Sequence, residues 1–162
     1  MPTPTYTALA NITLGSSASS VTFSSIPATY RDLVLVIAGN ATLQTNPTIQ
    51  LNGDTGSNYS NVWMGGSGSA ASSGSNSSNY NFAGAISTSE SNNILQIMDY
   101  AATDKHKTTL VRGNAANSTL GEAASAWAGR WANTAAVTSV RFFLSSGTMN
   151  SGTTLALYGI AS

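Results

Sequence analysis

The residues of this chain that could carry out chemistry are few and scattered. Asp54-Thr55-Gly56 has the residue types of the aspartic protease triplet, in which two such aspartates share one proton. The chain has a single copy, although a homodimer would supply a second. Asn52-Gly53 precedes the triplet where a protease has apolar residues, and this dipeptide is a strong turn signal. The sequence therefore favours a hairpin turn at Asp54 over a protease.

The metal-ligating residue types are also too sparse for a recognisable site. His106 is the only histidine, and its neighbours Lys105 and Lys107 weaken its affinity for a cation. A zinc site needs three or four ligands, and the chain has no cysteine. Asp99 and Asp104 offer oxygen ligands for Ca²⁺, but their spacing matches no defined calcium-binding loop. We expect no bound metal, no cofactor and no catalytic residue, so the sequence does not predict an enzyme.

Charge is unusually rare along the whole chain. Six basic and six acidic residues among 162 give a formal net charge of zero, whereas about a quarter of an ordinary domain is charged. The basic residues are scattered, which argues against a nucleic-acid partner. The longest apolar run, Leu33 to Ala38, is far shorter than the roughly 20 residues that span a bilayer. No signal peptide is expected, and the missing charge repulsion favours self-association.

Short strands and turns dominate the predicted structure. Val21 and Phe23 alternate with polar residues, and Leu33 to Ala38 has the continuous apolar character of a central core strand. Gly121 and Gly129 disfavour a helix over Leu120 to Trp131, the best helical candidate. Other predicted strands cover residues 48–51, 61–64, 80–86, 93–100, 107–112, 124–131, 137–144 and 154–160. We predict an all-β chain of about nine to eleven short strands, forming an antiparallel β-sandwich that is best interpreted as a jelly roll.

Composition divides the chain into an arm, one domain and a loop. Two prolines in residues 1–5 predict an extended N-terminal arm that reaches onto a neighbour or is frayed. Residues 6–162 form a single domain, since no interruption separates two cores. Within it, residues 65–79 read GGSGSAASSGSNSSN and offer nothing to bury. We predict a mobile loop there.

Three tryptophans and one arginine are candidate interface residues. Trp127 and Trp131 lie on the same side of the predicted strand 124–131, because side chains alternate along a strand. Core packing is the commoner fate of such a pair, a subunit interface is the second interpretation, and a sugar-stacking platform that includes Trp63 is the third. Arg130 points the opposite way and is expected to pair with Glu122 or with a neighbouring chain.

Whole phrases of the sequence resemble a known group of proteins. They are SSVTFSSIPATYRDLVLVI (Ser19 to Ile37), LNGDTGSNYS (Leu51 to Ser60), IMDYAATDKHKT (Ile97 to Thr108) and LALYGI (Leu155 to Ile160). In this order they are similar to small virion proteins and fibre-tip domains of tailed bacteriophages, including phages of cyanobacteria and marine bacteria. The resemblance covers nearly the full chain and includes no catalytic signature.

The resemblance implies a structural role in a virion that is assembled in the host cytoplasm, as a homotrimeric β-sandwich. Two functions stay open. The first is capsid decoration, in which a cement protein binds the major capsid protein and stabilises the shell. The second is a receptor-binding or lectin-like module that sits among tail proteins and recognises a host surface glycan. The chain begins at Met1 and has no coiled-coil shaft, so we expect decoration.

Overall fold

Antiparallel β-strands separated by turns build the structure. In the computed structural model, which describes residues 4–115 and 123–161, these residues form twelve strands and no helix. The strands are β1 (Tyr6–Thr13), β2 (Ser20–Phe23), β3 (Asp32–Gly39), β4 (Thr48–Leu51), β5 (Tyr59–Gly66), β6 (Ala71–Ser78), β7 (Asn81–Phe82), β8 (Ser91–Met98), β9 (Lys107–Ala115), β10 (Ala124–Trp131), β11 (Val140–Phe143) and β12 (Thr154–Ile160). Among the described residues, no helix has the length and apolarity to span a membrane.

The strands form two sheets with a distinctive order. One sheet has eight strands in the order β1-β12-β3-β8-β9-β10-β5-β6, and the other has four in the order β2-β11-β4-β7. Without β5, β6, β9 and β10, the remaining eight strands form the two four-stranded sheets of a jelly roll. The pairs β5-β6 and β9-β10 are insertions that widen one sheet beyond the other. The predicted all-β antiparallel sandwich is confirmed, with twelve strands instead of nine to eleven.

The core lies between the two sheets and follows the alternation of side chains. Leu33, Leu35 and Ile37 of β3 are fully buried on the inner face of the large sheet. From the small sheet, Ile49 and Phe142 pack against this face with no exposed surface. The apolar run of β3 therefore has the central position that the sequence predicts, third from the edge of the large sheet.

The predicted loop over residues 65–79 is wrong in its secondary structure, because most of this segment is strand. All eight residues of β6 pair with β5, in register from Tyr59 with Ser78 to Gly66 with Ala71. Ser67 and Ala70 close the hairpin with a backbone hydrogen bond of 3.0 Å, and Gly68 takes a positive φ of 91°. Backbone hydrogen bonds stabilise β6 without any apolar side chains, so amino-acid composition alone does not predict this strand.

Two other expectations involve residues outside the described ranges. Residues 1–3 of the predicted arm lie outside the described residues, while Thr5 accepts a 3.0 Å hydrogen bond from the backbone of Ala161. Glu122, the proposed partner of Arg130, also lies outside them. Residues 124–131 form a strand and not a helix, as expected from the glycines.

Candidate protein-binding surface

The carboxylate of Asp54 stabilises a turn and a core tryptophan. It accepts hydrogen bonds from the Gly56 amide at 2.8 Å, the Asn58 side chain at 2.9 Å and the Trp131 indole Nε1 at 2.7 Å. The Trp131 bond contributes most to lowering the pKa of Asp54 below its ordinary value of 3.8, because all three donors favour the charged form. These contacts give Asp54 the structural role of the hairpin-turn interpretation.

The charged side chains in and next to the segment between β8 and β9 form ion pairs and hydrogen bonds within the chain. Asp99 lies 3.7 Å from the Lys105 ammonium. Lys107 is fully buried, and its Nζ donates to the carbonyls of Ala102, Lys105 and Thr134 at 2.7–3.2 Å. Burial lowers the pKa of Lys107. His106 is exposed, and no group of three or more His, Cys, Asp or Glu in the described ranges could hold a metal.

The three tryptophans share the inner face of the large sheet. Trp127 and Trp131 of β10 are buried, as the core-packing interpretation predicts. Trp63 of β5 lies directly opposite Trp127, and their rings stack with centroids 5.3 Å apart. Phe82 contacts Trp127 from the small sheet at 4.8 Å. Trp63 remains half-buried, because β5 and β6 extend past the edge of the small sheet.

Arg130 lies on the opposite side of the sheet from the tryptophans, on the surface called here the outer face. This face is formed by the side chains of the eight-stranded sheet that point away from the small sheet. Toward its β6 edge, this face carries an apolar patch of three exposed side chains: Val62 at 61%, Met64 at 66% and Leu110 at 43% of full exposure. Side chains so large and apolar, lying together, mark a protein-binding surface more often than isolated ones do.

A shallow groove runs along β10 through this apolar patch. Ala126 and Ala128 form its floor, with Val62 and Met64 on the β5 side and Leu110 on the β9 side. Its volume is about 300 Å³. The small side chains of one strand lie between the large ones of its neighbours, and this leaves a groove that apolar side chains of a partner can occupy.

Few charges interrupt the outer face. Arg112 and Arg130 are its exposed charged side chains within the described ranges, and the register places them on β9 and β10 at opposite ends of the groove. Asp32 also belongs to this side of the sheet, but it is buried and accepts hydrogen bonds from the Gln96 side chain and the Asp99 amide. A partner therefore meets a mainly apolar centre with a positive charge at either end.

The sequence reasoning did not identify Val62, Met64 or Leu110 as surface residues. A signal was present in Val62-Trp63-Met64, where three consecutive apolar residues in a strand must place apolar groups on both faces. With Trp63 facing the core, Val62 and Met64 must face outward. Leu110 is harder to predict from the sequence, because its orientation depends on that of Val111 and its position depends on the register between β9 and β10.

Comparisons with known proteins give one weak structural likeness. No protein-family model and no curated protein matches the chain. Among solved structures, the chain is similar to a protein of unknown function, SO2946 from Shewanella oneidensis MR-1. The identity is 9%, the TM-score is 0.23, and the match covers 96% of this chain and 76% of the other.

Proposed function

We propose that this chain is a structural protein of a tailed-phage virion, a capsid decoration protein that acts as a homotrimer and stabilises the shell. The observation that carries the proposal is the exposed apolar patch of the outer face, formed by Val62, Met64 and Leu110. Such a surface is costly in water and gains stability when another protein covers it. The resemblance of the sequence phrases to virion proteins supplies the biological setting.

The size of the outer face suits a stable protein contact. Eight strands spaced about 4.8 Å apart, each about eight residues long at roughly 3.3 Å per residue, give a face of roughly 1,000 Å². A specific interface typically buries about 800 Å² on each partner. The outer face can therefore supply one full interface with the major capsid protein or between copies of this chain.

The low charge of the chain fits a mechanical role. Interfaces built from apolar contacts and neutral hydrogen bonds lose little affinity as salt rises, whereas ionic contacts are screened. The described groups with altered pKa values are Asp54, Tyr59, Tyr100 and Lys107, and each is hydrogen-bonded within the chain. These bonds have structural roles, which supports a protein that is not an enzyme.

The test is binding to phage shells assembled without this protein. The purified chain should sediment with the shells, saturate at a fixed number of copies and remain bound at moderate salt. Leu110→Lys, which places a charge in the apolar patch of the outer face, should fold normally and lose binding. Thr22→Lys, an exposed change on the other sheet, is the matched control. Wild-type protein that stays in the supernatant contradicts the proposal.

An aromatic cluster on the small sheet supports glycan recognition in a tail as the second candidate function. Tyr80 makes edge contacts with Phe82 and Phe143, with centroids 5.4 Å and 6.3 Å apart. Arg141 lies over the Phe143 ring at 4.5 Å and donates to the Gln50 side chain. Half-exposed rings beside an arginine can stack on a sugar and donate to its hydroxyl groups.

The two functions differ in what the aromatic cluster contributes. For a receptor-binding module, Phe143→Ala should abolish saturable binding to host cells, and Leu110→Lys should leave it intact. For a decoration protein, the wild-type chain should not bind cells. Binding to cells, together with failure to bind shells, would move the protein to the tail.

A further inference from the structure

Strand β6 has a neighbouring strand on one side only among the described residues. The Ser67–Ala70 hydrogen bond closes the hairpin, and pairs that are hydrogen-bonded across antiparallel strands alternate with pairs that are not. Gly74 therefore bonds with Trp63, while Ser73 and Ser75 direct their N–H and C=O groups away from β5. Ala71 and Ser77 do the same. Since β6 is the last strand of the sheet, no other described strand pairs with these groups.

The other sheet edges are protected, and the β6 edge is not. A register shift between Ala8 and Ala10 interrupts β1 at the opposite edge of the large sheet. The edges of the small sheet are short, with four residues in β2 and two in β7. Strand β6 has eight paired residues and carries no charge, proline or bulge. Exposed strands of this kind are templates for pairing with another chain.

The sequence of β6 is complementary to itself. In an antiparallel pair centred on Gly74, the outward residues match as Ala71 with Ser77 and Ser73 with Ser75 of the second copy, so every open group on the edge is bonded. Gly74 then meets Gly74 of the second copy in a non-hydrogen-bonded pair, where side chains approach most closely. No charged or bulky side chain opposes this register.

Trp63 supplies an apolar contact at the same place. A Cβ at Gly74 would lie 2.8 Å from the Trp63 Nε1, so the indole edge covers the glycine next to the open strand. Trp63 is half-buried in the single chain. In the paired assembly, the two β5 strands that carry Trp63 lie three strand spacings apart, about 14 Å. The Gly74 pair lies between the two indoles. Each indole then loses part of its remaining water contact.

We propose that β6 pairs antiparallel with β6 of a second copy of this chain, about a twofold axis through Gly74, and joins two large sheets into one of sixteen strands. A contact on a twofold axis uses the same patch on both copies. It is separate from the outer face and does not depend on the proposed function. If the chain also forms trimers, this contact links neighbouring trimers.

The test compares two substitutions at one open position. Ser75→Pro removes an N–H that points away from β5, and proline is tolerated on an edge strand when its N–H side faces solvent. Ser75→Thr keeps the N–H. By sedimentation velocity over micromolar to millimolar concentrations, wild type and Ser75→Thr should reach at least twice the mass of Ser75→Pro. Equal masses for all three proteins would overturn the proposal.

A second measurement needs no variant. Amide hydrogen exchange of wild-type protein should slow with increasing concentration at Ala71, Ser73, Ser75 and Ser77. Exchange at Gly74, which already bonds with β5, should change much less. Concentration-independent exchange at the four open amides overturns the pairing, even if Ser75→Pro were to misfold. Because no shell is present, this result is independent of the shell-binding test of the proposed function.

Discussion

At the scale of single residues, the charged groups of this chain stabilise its fold. Asp54 binds the amide of a turn and the Trp131 indole, and the buried Lys107 donates hydrogen bonds to three backbone carbonyl groups. A buried polar group costs free energy when its partner is removed. Asp54, whose sequence context resembles a protease triplet, and Lys107 are therefore both expected to affect stability.

Asp54 should make stability depend on pH in the acidic range. Its pKa is lowered in the folded state, so its contribution is present above the unfolded value near 3.8 and is lost as pH falls through the folded value. The free energy of unfolding of wild type should fall between about pH 5 and about pH 2, and Asp54→Asn should show a smaller fall. Urea unfolding at each pH measures this. Thr55→Asn, an exposed change beside Asp54 that keeps its carboxylate, should follow wild type.

Replacing Lys107 should be strongly destabilising. Lys107→Met fills a similar volume but leaves the carbonyls of Ala102, Lys105 and Thr134 without their donor, at a cost of about 3 kcal/mol. Lys105→Met removes a half-exposed lysine that pairs with Asp99, and should cost less than about 1 kcal/mol. Urea unfolding at neutral pH compares the two. Similar losses for both variants would contradict the role of Lys107.

At the scale of elements, the sequence predicts strands well where side chains enter the core. Leu33 to Ala38 and residues 124–131 are strands in the predicted places, because apolar spacing and burial agree there. Strand β6 is missed because its stability comes from backbone pairing and from a single close contact between Gly74 and Trp63. The candidate surface is missed for a related reason, since Leu110 lies beside Val62 only through the register of β9, β10 and β5.

The contact between Gly74 and Trp63 predicts a sharp difference between adjacent positions of β6. Gly74→Val places new carbon atoms against the indole and should cost about 1–3 kcal/mol while shifting the tryptophan emission. Ser75→Val points to the other face and should leave both stability and emission near wild type. Thermal unfolding with fluorescence detection measures both. A stable Gly74→Val with unchanged emission would show that the indole does not cover Gly74.

At the scale of the whole molecule, the widened sheet separates folding from assembly. The jelly-roll strands bury the core, and the inserted strands β5, β9 and β10 carry Val62, Met64 and Leu110 on the outer face. Substitutions on this face should therefore change assembly without unfolding the chain. Val62→Lys combined with Leu110→Lys should keep the wild-type melting temperature and should no longer sediment with phage shells. Thr22→Lys should sediment with the shells as wild type does.

Cryo-electron microscopy of shells incubated with the purified chain tests the central claim most directly. We predict three copies of the β-sandwich around each pseudo-threefold position of the shell, with Val62, Met64 and Leu110 covered by protein. Shells incubated with the Val62→Lys and Leu110→Lys variant should lack this density. Bare shells after incubation with wild-type protein, or density at the tail tip of native virions and nowhere on the capsid, would contradict the account.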